Sequence, residues 1–79
     1  MKQFDVVLRS VGDVQDFVTL ACAQPFIVTV GNDRHSVNGK SFMQIFSLDL
    51  SSPQQVRMDC SDDDYCRFYQ ATARFRTEY

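Results

Sequence analysis

Cysteines, a histidine and closely spaced carboxylates are the side chains that most often carry chemistry. Here they are Cys22, Cys60, Cys66, the single His35, and Asp59, Asp62, Asp63 and Asp64. The cysteines are an odd set without a Cys-x-x-Cys pair, and His35 lies in a different segment from all of them, so neither a disulfide framework nor a zinc site is expected. Cys22 and Cys60 fall in register with apolar neighbours and read as small buried hydrophobes. A thiol or metal enzyme would rest on Cys60 or Cys66 beside the acids. A nucleophilic thiolate wants positive neighbours, however, and carboxylates raise its pKa. The acid run also lacks the ligand spacing and the glycine of a calcium loop. No catalytic residue, metal site or cofactor is therefore expected. The competing enzyme reading is weaker than that of a binding module.

The elements that position these residues must fit into 79 residues, room for one domain spanning 1–79. A chain of this size buries only roughly 60% of its unfolded surface. Hydrophobic residues make up 44% and charged residues 23%, which is a globular balance rather than a disordered one. A net charge of -2 and a pI near 5.0, with no Lys/Arg stripe interleaved with aromatics, argue against nucleic acid as a partner. No apolar run approaches the roughly 20 residues of a membrane span, and the first residues lead straight into a strand pattern. A soluble, cytoplasmic protein is the expectation.

Phe4, Val6 and Leu8 alternate with Asp5, Val7 and Arg9 as a half-buried first strand. Ser10 is placed to cap a helix running to about Ala23, with Val14, Phe17, Val18, Ala21 and Cys22 at helical spacing. Pro25 ends it. Phe26 to Val30 is β-branched and bounded by the turn cluster Gly31-Asn32-Asp33, so a second strand and a hairpin are predicted, returning through His35 to Asn38. Gly39-Lys40-Ser41 opens a short second helix over Phe42 to Leu48. After the turn at Ser51-Ser52-Pro53, Val56, Met58 and Cys60 alternate as a fourth strand. Ser61 and the acids Asp62, Asp63 and Asp64 announce the last helix, matched to its positive N-terminus. Its apolar face is Tyr65, Phe68, Tyr69, Thr72, Phe75 and Tyr79, with Arg67, Gln70 and Arg74 toward water. The order β-α-β-β-α-β-α predicts an α+β open-faced β-sandwich, a four-stranded antiparallel sheet with three helices on one face.

The second helix is too apolar for its length. On a wheel Ile45 and Leu48 share the side that reaches the core, whereas Phe42, Met43 and Phe46 point elsewhere. The plain alternative is that all five are core, since short apolar runs are ambiguous. If the second face is open, a Phe/Met patch has the composition of a partner-binding surface. Ser41, with Lys40 before it, is at the least an ordinary N-cap. A phosphate there would add about two negative charges beside helix N–H groups and within the apolar patch.

The string Val37-Asn38-Gly39-Lys40-Ser41-Phe42-Met43-Gln44-Ile45-Phe46-Ser47-Leu48 resembles the regulatory-serine segment of HPr, the small phosphocarrier of the bacterial sugar phosphotransferase system. Phe17-Val18, Val56 and the acidic lead into the last helix fall into step with the same pattern, and the element order is similar to the HPr fold. Where HPr carries its phosphorylated histidine, followed closely by arginine and proline, this chain has Leu8-Arg9-Ser10-Val11-Gly12-Asp13-Val14 and no histidine. His35 follows a hairpin turn and has no matching context. The resemblance therefore implies an HPr-like regulator without phosphohistidine relay. Its switch would be phosphorylation of Ser41 and its partner-binding residues Lys40, Phe42, Met43 and Phe46. It implies other proteins as partners: a serine kinase, a transcriptional regulator or phosphotransferase-system enzymes. Gln44 departs from the pattern, standing where HPr has a small residue. The alternative is a structural or self-associating domain, a homodimer through the Phe42/Met43/Phe46 patch.

Overall fold

The computed structural model describes residues 2–32 and 34–76. The elements are β1 (Lys2–Val6), α1 (Val11–Cys22), β2 (Val28–Gly31), β3 (Ser36–Asn38), α2 (Phe42–Ile45), β4 (Gln54–Met58) and α3 (Asp62–Ala71), followed by a 3₁₀ turn, Ala73–Phe75. The strands form one antiparallel sheet in the order β1-β4-β2-β3. The expected α+β architecture is the one observed.

Register explains why one face of the sheet is a core. Val56 on β4 stands between Phe4 on β1 and Val30 on β2, and all three are buried. The period of two then sends Gln3, Asp5, Gln55 and Arg57 to the opposite, polar face. The helices cover the apolar face: α1 with Val14, Phe17 and Ala21, α2 with Ile45, and α3 with Phe68. Ser10 and Ser61 cap as expected, each side-chain oxygen accepting from the backbone N–H three residues on, Asp13 and Asp64. At the hairpin, Gly31 has φ +155, and a Cβ there would lie 2.1 Å from the His35 carbonyl oxygen. Only glycine fits that approach.

Several boundaries differ from the sequence reading. β1 ends at Val6 because the Val7 N–H is donated to the Phe75 carbonyl at 2.6 Å instead of continuing a ladder, although Leu8 is still buried. β2 begins at Val28, leaving Ile27 exposed while Phe26 tucks into the core. β4 starts two residues early, at Gln54, which pairs with Val6. Cys22, expected to be buried, is exposed: Ala21 takes the core position at the end of α1, and the Cys22 thiol turns to the Lys40 carbonyl at 3.6 Å. α3 stops at Ala71, where the buried Thr72 hydroxyl donates back to the Phe68 carbonyl and the chain tightens into the 3₁₀ turn that buries Phe75. Tyr79 lies outside the described residues. No helix among the described residues is long and apolar enough to cross a membrane.

Gln54 is the buried polar group that alternation alone does not announce. Its side-chain NH₂ donates to the Asp49 carbonyl at 2.7 Å and the Ser52 carbonyl at 2.9 Å, tying the loop after α2 to the sheet. Gln54→Leu keeps the bulk and loses both donors, so it should cost about 1–3 kcal/mol. The check is urea unfolding, with a lowered midpoint and an unchanged slope.

Candidate protein-docking site

Ser41 has extended backbone and accepts the Gln44 N–H on Oγ at 3.4 Å, so it is the N-cap of α2. Helical geometry proper covers only Phe42–Ile45, shorter than the Phe42 to Leu48 helix expected. Beyond it the Ser47 and Leu48 N–H groups bond to the carbonyls three residues back, at 3.0 Å each. The reason is local: the Ser47 hydroxyl donates to the Gln44 carbonyl at 2.5 Å, competing for an acceptor the α-helix needs.

This turn splits its apolar residues. Ile45 and Leu48 enter the core, Met43 is 77% exposed and Phe46 is 38% exposed. Phe42 is half-buried: its ring packs on the core margin and meets Phe46 edge-on at 4.6 Å. Both simple readings thus miss Phe42, which bridges core and surface. Lys40 is half-buried, and its ammonium donates to the Gln24 carbonyl at 2.8 Å, where a cation suits the carbonyl-rich end of α1. Its charge holds α1 and α2 together instead of standing free at the surface.

Beside Phe46 runs an open groove of about 670 Å³, lined by Val7, Leu8, Arg9, Ser10, Val11, Leu50 and Ser51 with Phe46. The β1–α1 loop therefore forms one wall and the chain after α2 the other. Sequence reasoning missed Val11 and Leu50 as parts of this surface. Val11 is the first residue of α1, off its buried stripe and 55% exposed, a signal the wheel could have supplied. Leu50 sits in an irregular loop and gives no periodic signal. Among the described residues the Arg9 guanidinium has no ion-pair partner, whereas Arg74 bonds both Asp13 and Asp16 at 2.9 Å. His35 does not line the groove and is exposed in the β2–β3 hairpin, its N–H donated to Asn32 Oδ1.

The other candidate chemistry stays apart from this surface. Burial, then the charge of Asp64, pushes the Cys60 thiol above its usual value, away from thiolate character. Among the described residues no group of three or more His, Cys, Asp or Glu is placed to hold a metal ion.

Asp13 sets the loop wall of the groove. The Arg9 backbone N–H donates to its Oδ2 at 2.9 Å and Arg74 meets its Oδ1, and together these hold its carboxyl below the ordinary 3.8. A carboxylate depressed in the folded state stabilises above the unfolded pKa and stops doing so as pH falls through the folded one. Asp13→Asn should therefore be less stable than the parent at neutral pH, and the gap should close as pH falls below 3.8. Chemical denaturation across that range checks it.

No protein-family model and no curated protein sequence matches the chain. Among solved structures it is similar to HPr-C-His from Thermoanaerobacter tengcongensis, with a TM-score of 0.75 and 22% identity, over 94% of this chain and 89% of that one. At that identity the likeness establishes the fold, an HPr-like open-faced sandwich.

Proposed function

We propose that this HPr-like fold is a cytoplasmic, regulatory protein-binding module that carries no phosphohistidine, docks partners through the surface of Phe42, Met43 and Phe46, and is switched by phosphorylation of Ser41. The observation that carries the reading is the exposure of Met43 and Phe46 on the turn that follows a capping serine and sends Ile45 and Leu48 into the core. Two large apolar side chains left in water beside an open groove have the composition of a docking surface. Support for the lack of histidine relay comes from the β1–α1 loop. Residues 7–10 between β1 and α1 include no histidine and Ser10 stands there as the cap of α1, so the loop offers no imidazole nucleophile to a phosphoryl donor. Lys40 contributes by position: its tether to Gln24 keeps the entry to α2 in place.

The reading is tested with an HPr-type serine kinase and a nucleoside triphosphate, followed by mass spectrometry. One phosphoryl group on Ser41 is expected, absent in Ser41→Ala, together with weakened binding of any partner that needs the bare apolar patch. Phosphotransferase donor enzyme with phosphoenolpyruvate should leave His35 unmodified. Failure of the kinase to modify Ser41, with Ser41→Ala costing only the ~1 kcal/mol of a lost cap and no change in partner binding, would reduce Ser41 to a cap. An acid-labile phosphate on His35 would reinstate relay.

A further inference from the structure

Gln44 carries a feature that the docking reading does not use. It is the third residue of α2 after the cap, the position from which a glutamine ordinarily reaches back to the N–H of the capping residue. Here the Ser41 N–H is already taken by the Asn38 carbonyl at 3.1 Å. The Gln44 side chain reaches past it, and its Oε1 accepts the Asn38 N–H at 3.0 Å.

The sheet shows what that N–H is. Among the described residues β3 lies at the edge of the sheet and pairs only with β2, with Asn38 opposite Thr29. The flanking pairs are the bonded ones: the Gly39 N–H donates to Val28 at 2.7 Å and the Asn32 N–H to His35 at 2.9 Å. Bonded and non-bonded pairs alternate along an antiparallel ladder, so Thr29–Asn38 and Gly31–Ser36 are non-bonded pairs. The N–H and C=O of Asn38 therefore point outward, along the free edge. Both are closed from within the chain, the C=O by Ser41 and the N–H by Gln44. Asn38 Oδ1 meanwhile accepts the Lys40 N–H at 2.9 Å. The Ser36 groups point outward along the same edge, and the residue is exposed.

We propose that Gln44 is a latch between α2 and the sheet, which closes the free edge of β3 at Asn38 and fixes the Met43/Phe46 surface relative to that edge. α2 is a single turn whose apolar anchors are Ile45 and Leu48 and whose entry is tied to α1 by Lys40, and Gln44 is the side chain that ties it to the sheet edge. Releasing the latch frees an outward N–H and loosens the turn that presents Met43 and Phe46. An unpaired strand edge is also the feature that natural sheets cover.

Residue-resolved amide exchange on the full chain tests this with two substitutions. Gln44→Ala removes the acceptor and keeps a good helix former, while Gln44→Glu keeps an oxygen able to accept from Asn38. In the parent the Asn38 amide should exchange more slowly than the Ser36 amide. Gln44→Ala should speed Asn38 and Phe46 by about tenfold and leave Val56 in the central strand unchanged, the pattern of local rather than global opening. Gln44→Glu should stay at the parent rate. The latch is refuted by an unchanged Asn38 rate in Gln44→Ala, by equal rates in the Ala and Glu variants, or by a uniform acceleration that includes Val56. None of these readouts depends on Ser41 being modified.

Discussion

The rest of the structure depends on the placement of one aromatic ring. Phe68, on α3, lies with its centroid 6.0 Å from Phe4 on β1, 6.1 Å from Phe17 on α1 and 5.8 Å from Phe26 at the entry to β2. Three other segments, β1, α1 and the entry to β2, meet on it, and Phe17 extends the cluster to Phe75. A chain this short has little apolar area with which to offset its ordering, so large rings shared between elements supply much of it. The Ser61 cap matters for the same reason: it starts α3 at the residue that brings Phe68 onto the sheet face.

α2 stands outside that cluster. Its anchors are Ile45 and Leu48, and what holds its margins is polar: the Lys40 ammonium on Gln24, the Ser41 and Gln44 bonds to Asn38, and the Gln54 side chain under the loop that follows. Polar ties of this kind are individually worth about 0.5–1.5 kcal/mol, less than burying one further large apolar side chain. The geometry thus leaves Met43 and Phe46 in water and fixes the turn that carries them by hydrogen bonds instead. A surface held in this way is positioned without being consumed by the core, which is what a docking surface requires.

The strand and helix order was legible because alternation and helical spacing are strong where one face is buried, as in Val56 to Met58 and in Val14 to Ala21. The capping serines were legible for a chemical reason, since each is followed three residues on by an N–H that needs an acceptor. What was not legible depended on contacts that periodicity does not read. The end of β1 is set by the Phe75 carbonyl and the turn of the Cys22 thiol by Lys40, both distant in sequence, and the burial of Gln54 by two carbonyls of the loop just before it. The exposed apolar surface of Met43 and Phe46 was read in outline from the excess of apolar residues over Phe42 to Leu48. Phe42 was misjudged because a wheel assigns each residue to one face, and this ring spans core and surface by lying against Phe46.

The length of α2 also settles the balance of forces in the proposed switch. A phosphate at Ser41 would meet helix N–H groups, which tightens the helix, and would also disturb the apolar patch. Stabilisation by a macrodipole needs aligned peptide units over several turns, and here there are four residues before the bonding pattern changes. What remains is the local attraction of the first-turn N–H groups, one of which, that of Gln44, the Ser41 hydroxyl already engages. The disturbing effect does not shrink with helix length. Phe42 and Met43 follow Ser41 directly, and about two negative charges with their hydration shell would sit against them. Desolvating those charges to bury the patch costs several kcal/mol unless a cation meets them. In this proposed mechanism the modification therefore acts mainly by partner selection: it disfavours partners that cover Met43 and Phe46 with apolar surface alone and favours those that bring a guanidinium or ammonium to Ser41.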